Sequence, residues 1–153
     1  MILIEDILHS ESVHLEMAAQ NKEDAIEQLL QGFTADPRVT DMGAFRKAVF
    51  LRGAPVMEEN KTGVCIAHGR TSAVKSLVFG AARLKDPVVC SVVKVPVSLF
   101  FIAGIPAAFN SEYLRVVGAV ARICRDTETF KQLMEVDNPQ GFVQLLQKFE
   151  QEI

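Results

Sequence analysis

Apolar residues recur at spacings of three and four in two early stretches, so the chain begins largely helical. Ala25, Ile26, Leu29, Leu30 and Phe33 predict a helix over 21–33, and Phe45, Ala48 and Val49 predict a second over 41–51. Asn21 with Asp24 three residues on resembles a capping box with Asp in place of Glu, and Asp41 is the expected cap of the second helix. Asp36-Pro37 separates the two, because the residue before a proline avoids helical backbone. Ahead of them, 2–8 reads as a short apolar element and 12–15 as a brief strand.

The pattern then changes period. Short runs rich in Val and Phe at 63–67, 76–84, 88–93 and 97–103 predict strands. Gly53, Pro55 and a polar cluster make 52–61 a predicted loop. Helical periodicity returns over 111–124, 126–134 and 139–149, the last started by Asn138-Pro139 as cap and first helical residue. Helices on both sequence sides of a run of strands predict an α/β fold. The expected architecture is a three-layer α/β/α sandwich with a mixed, mostly parallel sheet of about five strands flanked by helices on both faces. With no internal repeat and no linker, residues 1–153 read as a single domain.

Composition sharpens this picture by exclusion. A hydrophobic content of 49% and a mean hydropathy of +0.19 fit a well-buried core. A net charge of −3 and a pI near 5.6 give no reason to expect nucleic acid or an anionic membrane as partner. The first sixteen residues carry acids within their apolar stretch and lack a basic region, which argues against a signal peptide. The most apolar region, 88–109, is broken by Lys94, Pro96, Gly104 and Pro106, which argues against a membrane helix. Cys65, Cys90 and Cys124 are widely spaced, without a metal-type pair, and read as reduced buried thiols of a cytoplasmic protein. No metal and no cofactor is expected.

The candidate chemistry lies in T-G-V-C-I-A-H-G-R-T-S-A, residues 62–73, where an apolar run ends on His68. A neutral imidazole at a strand end can carry a phosphoryl group, one ring nitrogen attacking while the other keeps its proton. Gly69 lets backbone come close to phosphoryl oxygens, backbone amides with Thr71 or Ser72 can form an anion nest, and an arginine can steady developing charge. His9 and His14 read as structural histidines, Cys65 as a buried thiol within a strand, and Glu58 and Glu59 as surface acids of the loop.

The longer stretch L-R-G-A-P-V-M-E-E-N-K-T-G-V-C-I-A-H-G-R-T-S-A-V-K-S-L-V-F-G-A-A-R-L resembles the active-site region of IIA components of the bacterial phosphoenolpyruvate-dependent phosphotransferase system. The likeness is to the mannitol/fructose type, including its nitrogen-related regulatory members. Arg52 and His68 stand sixteen positions apart, the separation expected between that family's active-site arginine and phosphorylated histidine. V-P-V-S-L-F-F-I-A-G-I-P, and N-S-E-Y-L-R-V-V-G-A-V-A-R-I-C-R-D-T-E-T-F-K-Q-L after it, are similar to the family's following strand and helices.

The resemblance implies that His68 accepts a phosphoryl group from the phosphocarrier HPr, or its nitrogen-branch paralogue, and passes it to a cysteine of a IIB domain. It makes Arg52 the stabiliser of the phosphoryl oxygens, and Gly69, Arg70, Thr71, Thr62 and Tyr113 phosphoryl-binding or site-shaping residues. Docking is expected on those two proteins, or on a membrane IIB/IIC complex, without insertion of this chain. Phe50, Val56, Met57 and the 105–109 loop are the expected exposed apolar ring. Ala67 replaces the family's proline before the histidine, and Thr62 its loop asparagine. Glu112-Tyr113-Leu114 stands where the family places a second active-site histidine. A tyrosine there can donate a hydrogen bond but cannot become a cation near neutral pH. The second functional reading is therefore a regulatory IIA-like module whose phosphorylation state controls a partner, with weak or no onward transfer. A third, an unrelated small-molecule binder of α/β fold, requires His68 to be fully buried with no open pocket beside Arg52.

Overall fold

The computed structural model describes residues 3–52, 56–59, 62–89, 94–108 and 112–148, with backbone alone at Arg52, 56–59, Thr62 and Glu112. Five strands form one sheet in the order β1-β4-β5-β3-β2: β1 (Val13–Met17), β2 (Val56–Glu59), β3 (Thr62–Thr71), β4 (Val78–Val89) and β5 (Pro96–Pro106). The sheet is mixed: β1 runs parallel to β4 and β3 to β5, while β4–β5 and β2–β3 are antiparallel. The expected α/β/α sandwich is the architecture found.

Each face of the sheet carries its own core. Helices α2 (Lys22–Gln31) and α3 (Met42–Arg52) bury Ile26, Leu29, Leu30, Phe45 and Val49 against Cys65, Ala67, Phe100 and Ile102. On the opposite face, α1 (Ile4–Ile7), α4 (Glu112–Arg125), α5 (Thr127–Glu135) and α6 (Pro139–Gln147) pack over Val64, Ile66, Phe79, Leu99 and Phe101. Alternation along β3 and β5 divides the two sets, since successive strand side chains point to opposite faces.

The helix starts are set by side chains. Asn21 Oδ1 accepts from the Asp24 amide at 2.8 Å, and the Asp24 carboxylate accepts from the Gln20 amide at 3.0 Å. The reciprocal bond of this cap thus lands one residue ahead of the expected Asn21 amide. Asp41 Oδ1 accepts from the Ala44 amide at 3.1 Å, and Asn138 Oδ1 from the Gly141 amide at 2.6 Å with Pro139 at the first helical position.

Two segments differ from the sequence expectation. The 52–61 stretch contains a strand, β2, pairing Val56 with Cys65 and Glu59 with Thr62. Its polar composition hid it because an edge strand pairs through backbone groups alone. The runs at 76–84 and 88–93 do not form two strands: Val88 and Val89 continue β4 past an irregularity between Arg83 and Val88. Pro87 lies in that irregular stretch, where a missing amide breaks no ladder bond. Residues 90–93 lie outside the described residues. Arg83 locks the region, donating to the carbonyls of Leu15 at 3.2 Å, Leu133 at 2.9 Å and Val136 at 2.7 Å. It joins β4, β1 and the end of α5, where a cation suits the orphan carbonyls of a helix C-terminus.

Candidate active site

His68 sits in the C-terminal half of β3, beside Ala103 of β5. It is half-buried, and its ring faces the α4 layer, where Tyr113 in the first turn of α4 lies 5.2 Å away between ring centroids at a tilt of 39°. The Nδ1 atom is sealed from solvent. The partial exposure of the ring therefore lies away from Nδ1. That polarity suits a nucleophile whose proton must stay on the inner nitrogen. The site is not the fully buried histidine that an unrelated small-molecule binder required.

Burial pushes the Tyr113 phenol up to about 12. The hydroxyl stays protonated throughout the neutral range and is a donor, never a base, beside His68.

Gly69 occupies the opposite face. A Cβ built there would stand 2.8 Å from both the Val49 amide nitrogen and Val49 Cγ2, and 3.1 Å from the Ala48 carbonyl carbon. The structure gives this glycine a packing role as well: the space a side chain would fill is taken by α3. Gly69 is what allows that helix to lie directly on β3.

Arg70 points out of the sheet end, exposed, its Nε donating to the Ala107 carbonyl at 3.1 Å. This bond ties the end of β3 to the turn after β5. Together with Ala48, Leu51 and Ala107, Arg70 lines a shallow depression of about 380 Å³. Thr71 closes the turn that follows, its hydroxyl accepting from the Ala73 amide at 3.2 Å and its carbonyl from the Val74 amide at 3.2 Å.

Arg52 is the last residue of α3 and Thr62 the first of β3, but the side chains of both lie outside the described residues. The backbone places Arg52 one turn beyond Ala48, which packs on Gly69, so α3 ends alongside the strand that bears His68.

The apolar surface differs from the one expected. Phe50 is half-buried beneath the Arg46 guanidinium, 4.9 Å from its centroid, and Ile105 is buried in the core. The exposed large apolar residues near the site are Leu51 at 82% and Leu114 at 69%, in the two helices on either side of β3. Val56, Met57 and Phe109 fall outside the described side chains. Sequence periodicity missed both leucines, because an isolated leucine at a helix end carries no pattern.

Elsewhere, His9 and His14 are far along the chain from the site. His9 Nδ1 lies 3.4 Å from Arg38 Nη2, in a cluster where Arg38 clamps the Asp36 carboxylate at 2.6 Å and holds it below the usual carboxylate range. Cys65 and Cys124 are buried. Among the described residues no group of three His, Cys, Asp or Glu side chains could hold a metal ion, and no helix is long and apolar enough to cross a membrane.

Comparison with known proteins agrees with this fold. The fructose-specific EIIA component of Haloferax volcanii is 28% identical over 138 residues, covering 90% of each chain. The fructose-specific EIIABC component of Bacillus subtilis is 21% identical over 144 residues, 94% of this chain but only 23% of that larger protein. Among solved structures, the nitrogen regulatory protein IIA-Ntr of Neisseria meningitidis superposes with a TM-score of 0.83 at 24% identity, covering 94% of this chain and 98% of the other. The Escherichia coli mannitol IIA in complex with phosphorylated IIB superposes at 0.67 with 16% identity, covering 89% and 94%. Residues 6–149 match the family described as phosphoenolpyruvate-dependent sugar phosphotransferase system, EIIA 2, and the chain belongs to that family.

Proposed function

We propose that this chain is a phosphohistidine module in which Nε2 of His68 takes a phosphoryl group from an HPr-like phosphocarrier, and in which the phosphorylation state itself is the output. The observation that carries the proposal is the orientation of His68, with Nδ1 sealed from solvent and the ring set against a protonated tyrosine. In the transfer, the P–N bond to the donor's imidazole breaks as the bond from phosphorus to Nε2 forms. The proton on Nδ1 stays in place, and the donor ring, already protonated on its other nitrogen, leaves as neutral imidazole. Arg52 would balance charge on the phosphoryl oxygens, Tyr113 would donate one hydrogen bond to them, and Arg70, Thr71 and Thr62 would shape the surrounding backbone.

Tyr113 favours the regulatory output over a fast relay. A neutral donor in place of a cationic one forfeits about 1–3 kcal/mol of transition-state stabilisation, or roughly ten- to hundred-fold in rate. The likeness to the nitrogen regulatory protein of Neisseria meningitidis supports the same reading. The relay reading, in which His68 passes its group to a IIB cysteine, draws support from the likeness to the E. coli IIA of the IIA–IIB complex and from the fructose-specific relatives.

One experiment tests both. The chain is incubated with enzyme I, HPr and phosphoenolpyruvate, its mass is measured intact, and a IIB domain is then added. A stoichiometric gain of one phosphoryl group that persists for minutes after IIB is added supports the regulatory module, whereas its prompt loss to IIB supports the relay. Equal labelling of His68→Ala would refute the assignment of the phosphoacceptor.

A further inference from the structure

β1 is an outer strand of the sheet, and its outward side pairs with no other strand. Among the described residues, the main chain of 14–17 is hydrogen-bonded from the β4 side alone. Arg83 fills the irregularity in that pairing by donating to the Leu15 carbonyl at 3.2 Å, and residues 13–17 stay extended. A groove of about 600 Å³ is lined by residues 14–17 and by Gln28, Gln31 and Gly32 at the end of α2. Consecutive strand side chains point to opposite faces, so a groove touching four of them in a row follows the strand's edge.

An unpaired edge is a template for another strand, and its side chains decide which strand it takes. β2, the other outer strand, holds Glu58 and Glu59 and no basic residue, so a second copy meeting it there would set acid against acid. β1 differs. It holds one acid, the exposed Glu16, and one imidazole, the half-buried His14, placed symmetrically about Leu15. The buried Nε2 of His14 has no hydrogen-bond partner within the chain, and among the described residues neither has the Glu16 carboxylate. A two-fold axis makes two copies of an edge strand run antiparallel. With the axis at Leu15, each His14 stands opposite the partner's Glu16, so the same imidazole–carboxylate pair forms twice.

We infer that β1 is the interface of a homodimer, in which two copies join antiparallel along this edge and their sheets become one. The occupant of the groove is thus a second copy of this chain, whose charge pattern complements itself across the axis. The strand order puts β4 and β5 between this edge and the strand that bears His68, so the association is independent of the phosphohistidine chemistry. Five residues a side make a short interface, which sets a reversible dimer rather than an obligate one.

Sedimentation equilibrium of the full chain, from micromolar to near-millimolar protein, reads the association. The wild type passes from monomer to dimer and stops there, because the two-fold pairing uses up the edge. Glu16→Lys and His14→Glu each weaken the dimer about ten-fold or more, since each acts on both pairs at once. The double variant His14→Glu with Glu16→Lys restores it, because the charges are then exchanged and again opposite across the axis. Independently of charge, an equimolar mixture of His14→Cys and Glu16→Cys chains gives a disulfide-linked dimer on mild oxidation, and either chain alone gives far less. Circular dichroism melting shows that each variant is folded before its association is read, and if His14→Glu fails to fold, the cysteine mixture and Glu16→Lys decide. A chain that stays monomeric at every concentration, or that forms larger polymers, overturns the inference. So do single reversals that leave the dimer unchanged, a folded double variant that associates no better than the singles, or a cysteine mixture that crosslinks no more than its components.

Discussion

Gly69→Ala separates two roles for the residue after the histidine. In the structure the added methyl would meet the Val49 amide nitrogen and Cγ2 at 2.8 Å and the Ala48 carbonyl carbon at 3.1 Å. Two of these three atoms are backbone, so no rotamer change relieves the clash. To reach the 3.4 Å at which ordinary contact begins, α3 must lift by about 0.6 Å from β3. The helix is anchored there by Phe45 and Val49, both fully buried, so lifting it loosens packing around both. Overpacking of this kind costs about 1–3 kcal/mol. For a domain of this size that is a fall in melting temperature of about 3–10 °C. Thermal unfolding followed by circular dichroism measures it, and labelling by phosphoramidate is scored on the same preparation. The expectation is a clear loss of stability with labelling reduced but present, because α3 carries Arg52 away from β3 by only a fraction of an ångström. Unchanged melting with labelling lost would refute the packing argument and return Gly69 to the phosphoryl-binding backbone.

Other perturbations follow from the same contacts. Tyr113→His raises the rate of onward transfer to a IIB domain about ten- to hundred-fold by supplying a group that can become cationic, measured by loss of ³²P from the chain. Tyr113→Phe leaves the rate low and, unlike Tyr113→His, introduces no new ionisation into the pH–rate profile between pH 6 and 9, as expected beside a phenol already pushed up to about 12. Arg83→Met strips three backbone carbonyls of their donor and destabilises by about 2–4 kcal/mol, read by urea denaturation. Burial lowers the pKa of His14 and its Nε2 is buried without a hydrogen-bond partner, so the unfolded chain binds its proton more readily than the folded one. Stability therefore falls as pH drops through the ordinary histidine value of 6.5. His14→Leu should flatten that decline between about pH 7.5 and 5.5, and identical pH profiles for the two proteins would exclude His14 as its source.

Much of the fold was legible because it rests on periodicity and caps. Ala25, Ile26, Leu29 and Leu30 mark the face of α2, and Asn21, Asp41 and Asn138 stand at the helix starts they were expected to set. The failures share a cause: a strand defined by its neighbours rather than by its own side chains. β2 is recognised by the register of Val56 with Cys65, a pairing that composition cannot announce. The 83–88 irregularity of β4 lets one strand run through Asp86-Pro87, where the pattern predicts two strands, at 76–84 and 88–93. Arg83 was invisible for a related reason, since its three acceptors are backbone carbonyls of Leu15, Leu133 and Val136, distant in sequence from it and without side-chain signature.

At the site, contiguity in sequence misleads because a strand sends neighbours to opposite faces. Read as a string, H-G-R-T is one motif serving one ligand. Folded, His68 turns to Tyr113 and the α4 layer, whereas Gly69 turns to Ala48 and Val49 of α3. Arg70 then bonds Ala107 beyond the end of β5, and Thr71 closes the following turn. The four residues thus meet four different sets of neighbours. The three after His68 fix what surrounds it: the depth of α3, the position of the β5 turn and the exit of the chain. A substitution at Gly69 can therefore disturb phosphoryl transfer without touching a phosphoryl oxygen, through α3 and the Arg52 it ends on. On the proposed reading, the separation that matters is then the one between Arg52 and His68, sixteen positions apart in sequence, bridged by a helix packed on a glycine.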